Sequence, residues 1–310
     1  MITSATLVAA LVGVDIVTAY SLCKSLSRPK PSRGKAGLGW GNNGAQNMDQ
    51  FLSAKVPWYY NWNFQVSDDA SGLPVEFVPM LWGQAQADEF SDTIVSTLQS
   101  TNATAILGMN EPQETGQSNL TPEQAIELWK QHLEPLRAAH NVRLGSPAPS
   151  GAPGSWQWLT AFLQQCGEEC TIDFLVLHWY GTNATAFKEF LVDYHSRFNM
   201  NIWVTEWACQ NMAGPGDQCS MSDVFRLLQE TQAFMDNTDW IERYAWYGSK
   251  TPDAMHGVNL KNAMMNSSGI INGLGTQYIG LSAAPALVVL LYQYIPYMII
   301  PEATLKGFEG

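Results

Sequence analysis

A chain of 310 residues whose 46% hydrophobic content falls in short regular blocks can bury one large core, which excludes a disordered protein. Acidic residues outnumber basic ones 28 to 16, for a formal charge of −12, and no Lys/Arg cluster stands out. Both features argue against nucleic acid as a partner. Charged residues make up only 14% while aromatics reach 11% with 12 Trp, a balance that suits stacking on neutral ring-shaped ligands such as sugars.

In chain order, residues 2–20 are apolar enough for the core of a signal peptide, although Asp15 interrupts them and no Lys or Arg precedes them. Residues 1–22 read as a leader, and the basic, Pro/Ser-rich residues 23–35 as a linker. A single folded domain then runs from 36 to 280. Within it, short apolar or β-branched runs alternate with helix-patterned segments, the signature of βα units around a parallel sheet. Strands are expected near 37–40, 58–62, 75–80, 105–109, 142–145, 174–178, 202–205 and 244–247. The clearest helix spans 121–139, with Thr121 as N-cap and Pro122 at the first helical position. Further helices are expected over 155–165, 184–198 and 222–235.

Eight strands in this length predict an α/β fold of (β/α)8 (TIM) barrel type. The rival is an open doubly wound sheet, but Gly37-Leu38-Gly39-Trp40-Gly41 lacks the full glycine-rich phosphate turn that such sheets carry after the first strand. Residues 282–301 are nearly all apolar and long enough for a bilayer span, yet Pro285, Gln293 and Pro296 would disturb a simple helix. The preferred reading is a tail of unassigned role over 281–310, with membrane association as the alternative.

With Cys23 set aside at the start of the linker, the remaining cysteines form two local couples, Cys166/Cys170 and Cys209/Cys219, which read as disulfides. A metal site is the rival, but the spacing is not CxxC and no histidine pattern accompanies it. Sequons at Asn102, Asn119, Asn183 and Asn266 are compatible with an oxidising, glycosylating route. The protein is therefore expected to be secreted, and it is expected to be a monomer.

Barrel chemistry comes from the C-terminal ends of the strands. Here those ends carry Trp40 and Asn42, then Tyr59, Asn61 and Trp62, then Met80 and Trp82. Asn110 and Glu111 follow strand 4; His178, Trp179 and Tyr180 strand 6; Glu206 and Trp207 strand 7; Trp246 and Tyr247 strand 8. Two Glu residues within a ring of Trp, Tyr and Asn supply what glycosidic cleavage needs: an acid, a nucleophile, stacking faces and hydroxyl partners. From this set Trp40, Asn42, Tyr59, Asn61, Trp82, Asn110, His178, Tyr180, Trp207 and Trp246 are expected to bind substrate. His178 or Tyr180 is expected to hydrogen-bond the strand 7 carboxylate. Glu114 reads as solvated, and Trp129, Trp156 and Trp158 as helix packing.

Asn110-Glu111-Pro112 after strand 4, with Trp203-Val204-Thr205-Glu206-Trp207 closing strand 7, resembles the clan A glycoside hydrolases. That resemblance implies Glu111 as acid/base, Glu206 as nucleophile, and Asn110 on the sugar 2-hydroxyl. A nearer likeness covers residues 36–280. Gly39-Trp40-Gly41, Trp58-Tyr59-Tyr60-Asn61-Trp62, Phe77-Val78-Pro79-Met80-Leu81-Trp82-Gly83, Leu144-Gly145-Ser146-Pro147-Ala148 and His178-Trp179-Tyr180-Gly181 together are similar to glycoside hydrolase family 128, the fungal alkali-sensitive-linkage type. This likeness implies a retaining hydrolase of β-1,3-glucan, read as endo-acting, with no metal or organic cofactor. A silent glucan-binding protein and a clan A enzyme for another β-glycan are the alternatives.

Overall fold

The computed structural model describes residues 34–41, 47–214 and 216–281. The expected leader, the linker up to residue 33, the apolar tail from residue 282, and Asn42 lie outside the described residues. No helix among the described residues is long and apolar enough to cross a membrane.

All eight expected strands form: β1 Ala36–Gly39, β2 Trp58–Tyr60, β3 Glu76–Phe77, β4 Ala105–Leu107, β5 Arg143–Gly145, β6 Leu175–Gly181, β7 Ile202–Cys209 and β8 Ile241–Trp246. Every pairing between them is parallel, in the order β3-β2-β1-β8-β7-β6 and β4-β5. Parallel bridges Met80↔Leu107 and Gly145↔Phe174 join the two groups, so the ring closes into the predicted barrel.

Outside the strands lie α1 Ala87–Ser100, α2 Pro122–Leu128, α3 Glu134–His140, α4 Ser155–Cys166, α5 Ala184–Phe198, α6 Met221–Asp236 and α7 Gly273–Tyr278. Thr121 caps α2 through a full capping box with Gln124, behind Pro122. The expected single helix over 121–139 is instead two α-helices joined by a π-helical turn, Trp129–Leu133. Pro135 gives the reason. It offers no N–H to the carbonyl one turn back and its ring crowds that turn, which widens in response. After β1 and β2 the outer layer thins to 3-10 turns, Met48–Phe51 and Asp68–Ala70, so a helix does not follow every strand.

Strand side chains alternate between two cores, as the two-residue period requires. Trp58, Tyr60, Val78, Met80, Ala105, Leu107, Phe174, Val176, Trp203 and Ala245 fill the barrel interior. Leu38, Tyr59, Phe77, Ile106, Leu144, Leu175, Leu177, Val204 and Tyr244 face the helices. β1 gives its interior positions to glycine, because a Cβ on Gly37 would fall 2.1 Å from the Trp58 ring. Near the N-terminal end Arg243 sits over Trp203 at 4.4 Å and reaches buried Glu76 at 2.6 Å. Both cysteine couples are bonded as expected, Cys166–Cys170 and Cys209–Cys219.

Candidate active site

Interior residues at the C-terminal end of the barrel surround an open cavity of about 580 Å³. β7 carries an irregularity at its centre: Leu177 pairs with Val204, whereas His178 pairs with Glu206, so Thr205 is an extra residue. Simple alternation after Trp203 would turn Glu206 outward. The bulge keeps Thr205 and Glu206 both inward and moves Trp207 to the helix side.

Glu111 is aimed differently. It has a positive φ of 40° directly before Pro112, whose ring disfavours the helical region for its neighbour. Such a backbone costs about 1–3 kcal/mol, and hydrogen bonds from Glu111 N to Ala148 O (2.8 Å) and Leu120 N to Pro112 O (2.8 Å) hold it.

The two carboxyl groups meet over His178. Its Nδ1 contacts Glu111 Oε1 at 2.9 Å and lies 3.6 Å from Glu206 Oε2, while Nε2 contacts Thr205 Oγ1 at 3.0 Å. Full burial lowers the basicity of this ring, but the neighbouring charge of Glu206 and the hydrogen bond and charge of Glu111 outweigh it, and the net shift is upward. Tyr180 donates its hydroxyl to Glu206 Oε2 at 2.5 Å, and Trp62 donates Nε1 to Oε1 at 2.7 Å. Burial first, and Glu206 next, push the Tyr180 and Tyr60 hydroxyls far above their ordinary range, so both are neutral donors. Tyr60 donates to the Thr205 carbonyl at 2.8 Å and steadies the bulge.

One ligand atom from each of Glu111, His178 and Glu206 lies within 4.8 Å of the others, a spacing that a cation could also bridge. The arrangement can chemically do more than that. It can place a proton donor and a nucleophile on the two sides of one bond. Asn110 donates Nδ2 to Gln117 Oε1 at 3.2 Å, and its buried Oδ1 has no partner.

Residues 37–278 match the family described as glycosyl hydrolase catalytic core. Similar solved structures include a family 128 (subgroup VI) exo-β-1,3-glucanase from Aureobasidium namibiae, at 26% identity and TM-score 0.69, covering 80% of this chain and 96% of that one. Another is a family 128 (subgroup II) endo-β-1,3-glucanase from Sorangium cellulosum, at 27% and 0.66, covering 81% and 100%. The chain belongs to glycoside hydrolase family 128. Alkali-sensitive linkage protein 1 of Schizosaccharomyces pombe is 32% identical over 249 residues, 79% of this chain and 44% of that protein. The chain thus spans under half the length of this curated relative.

Of the residues expected to form the site, Glu111, Glu206, Asn61, Trp82, Asn110 and Tyr180 line the cavity, and His178 lies beneath it. Four do not reach it. Trp40 faces the helix side, donates to Asp69 Oδ2 (3.0 Å) and packs on Phe51. Tyr59 packs on Phe77, Trp207 donates to Thr231 Oγ1 (3.0 Å), and Trp246 donates to the Asn262 carbonyl (3.0 Å). All four occupy outward strand positions, so their aromatic character serves packing. Glu114 is half-buried and accepts from Ser150 at 2.6 Å, so it is not simply solvated. Trp129 is buried and Trp158 half-buried against the core, but Trp156 is exposed, with Arg197 over its ring.

Trp62, Tyr247, Lys250, Gln117, Gln210, Met212 and His256 also line the cavity, although they are not among the residues expected to bind substrate. Parity was the usable signal for two of them. Trp62 continues Trp58 and Tyr60 at two-residue spacing, and Tyr247 continues Arg243 and Ala245. The others sit on loops, where no period applies.

Proposed function

We propose that this chain is a retaining hydrolase of β-1,3-glucan with Glu111 as acid/base and Glu206 as nucleophile. The observation that carries the reading is the approach of the two carboxylates across one cavity, to within 4.8 Å between oxygens, in the short class that accompanies retention. Glu206 attacks the anomeric carbon while Glu111 protonates the departing glycosidic oxygen. Water, deprotonated by Glu111, then releases the sugar from Glu206 and restores both groups. Asn110 Oδ1, buried without a partner, is placed to accept from the sugar 2-hydroxyl. The β-1,3 linkage is carried over from the named activities of the similar structures. Trp62, Trp82 and Tyr247 offer stacking surface for several sugar units, which supports endo action. The catalytic body is taken as residues 36–280. Two disulfides and four exposed sequon asparagines support a secreted or wall-bound glycoprotein.

Product analysis on laminarin, xylan and mannan tests the reading with wild type, Glu111→Gln and Glu206→Gln. A ladder of laminari-oligosaccharides from wild type, reduced at least 1,000-fold in both variants, is the expected result, on the order of what loss of an enzymatic acid or nucleophile costs. Wild-type rates in both variants overturn the residue assignment. Glucose as sole product overturns the endo mode, and binding of laminarin without cleavage would make the protein a silent glucan binder.

A further inference from the structure

Lys250 is only 3% exposed, yet it lines the cavity. Its Nζ lies 3.8 Å from the centroid of the Tyr247 ring and 4.5 Å from that of Trp62, both within cation–π range. Among the described residues the ammonium has no hydrogen-bond acceptor and no carboxylate within ion-pair distance. Its position is built into the backbone. A Cβ on Gly248 would fall 1.8 Å from the Asn262 carbonyl oxygen, so only glycine lets the turn after β8 pack there. Hydrogen bonds from Lys250 N (2.6 Å) and Met264 N (2.8 Å) to the Gly248 carbonyl pin the same turn.

Holding an ammonium largely out of water with no protein acceptor is costly, and ring faces compensate only part of that cost. A group left in this state beside a nucleophile is a donor waiting for its acceptor. An anionic sugar is a poor candidate, because Glu111 and Glu206 share the cavity and would repel it. Sugar hydroxyl oxygens carry no such penalty.

We infer that Lys250 is a substrate-binding residue whose ammonium, seated on the faces of Trp62 and Tyr247, donates hydrogen bonds to hydroxyls of the neutral glucan unit held beside Glu206. The inference rests on the glucanase reading and deepens it. A pH consequence follows. Burial lowers the Lys250 pKa to about 8 against the opposing pull of Glu206, so the donor is fully charged below that value and loses its proton as pH rises through it. Other titratable groups facing the cavity are Glu111, Glu206, Tyr180, Tyr247 and His256, with Tyr60 and His178 beneath. The three tyrosines are pushed upward by burial and stay neutral across this range.

Calorimetric titration with laminarihexaose, in a Glu111→Gln background that prevents turnover, tests this from pH 6 to about 9.5, spanning the proton loss. With Lys250 intact, affinity should fall about 10-fold or more as pH passes 8, the size expected for a charged hydrogen bond. Lys250→Met should bind about 10-fold or more weakly at pH 6 and show no fall near 8. Lys250→Arg should hold its affinity through that range. Thermal melts check that each variant is folded, and the pH profile with Lys250 intact stands without any variant at this position. Equal affinity in Lys250→Met, or a flat profile with Lys250 intact, overturns the role of Lys250 while wild-type cleavage of laminarin keeps the glucanase reading. If wild type neither binds nor cleaves laminari-oligosaccharides, that reading fails and this inference falls with it.

Discussion

Tyr180 and Trp62 donate to different oxygens of Glu206, so the carboxylate is fixed in plane and aim by two neutral donors. Tyr180→Phe removes one of them without changing ring volume. A hydrogen bond to a charged group contributes about 1.5–3 kcal/mol, so kcat should fall about 10–100-fold with a smaller change in KM, measured by steady-state kinetics on laminarin. An unchanged kcat would mean that this bond does not matter to the reacting state. The placement of Glu111, Glu206, Asn110 and Tyr180 around the cavity was legible, because each stands toward the C-terminal end of an apolar strand run, where barrels keep their chemistry. Trp40, Tyr59 and Trp246 were misplaced because residue type was weighed above parity, and Trp207 because the bulge at Thr205 reverses the alternation beyond it. An outward aromatic at a strand end packs against helices, while an inward one an odd number of residues away, as Tyr247 is from Trp246 and Trp62 from Tyr59, faces the cavity.

Among elements, β7 and the loop that follows it decide most. The bulge at Thr205 cannot be read from the order of residue types, since Trp203-Val204-Thr205-Glu206-Trp207 would alternate equally well without it. The hydrogen bonds of His178 and Tyr60 to Thr205 make the irregular register the favoured one. Beyond β7, Gln210 and Met212 stand at the rim of the cavity in a loop closed by Cys209–Cys219. Replacing both cysteines with serine should cost about 2–3 kcal/mol, seen as a lower melting temperature. KM for laminari-oligosaccharides should rise while kcat changes less, because the loop touches the rim and neither carboxylate. A loss confined to kcat would contradict that placement. The π turn at Trp129–Leu133 was equally hidden, although Pro135 marked a point of strain in an otherwise regular helical pattern.

For the whole molecule, the two ends of the barrel divide the work. The N-terminal end holds the Glu76–Arg243 pair under Trp58 and the stacked Trp203 and Phe174, and the C-terminal end holds the cavity with both carboxylates. All eight strands were legible because burial on both faces makes them short apolar runs separated by polar connections. The thin outer layer after β1 and β2 was not, since a 3-10 turn leaves no 3.6-residue period to detect. The central claim, that Glu206 becomes covalently attached to sugar, is tested most directly by mass spectrometry of the protein after reaction with a 2-deoxy-2-fluoro laminaribiosyl fluoride. One added 2-deoxy-2-fluorolaminaribiosyl group, with loss of the anomeric fluoride and mapped to the peptide that contains Glu206, is the expected result. Attachment to any other residue, or turnover through an α-configured product with no covalent adduct, would contradict it.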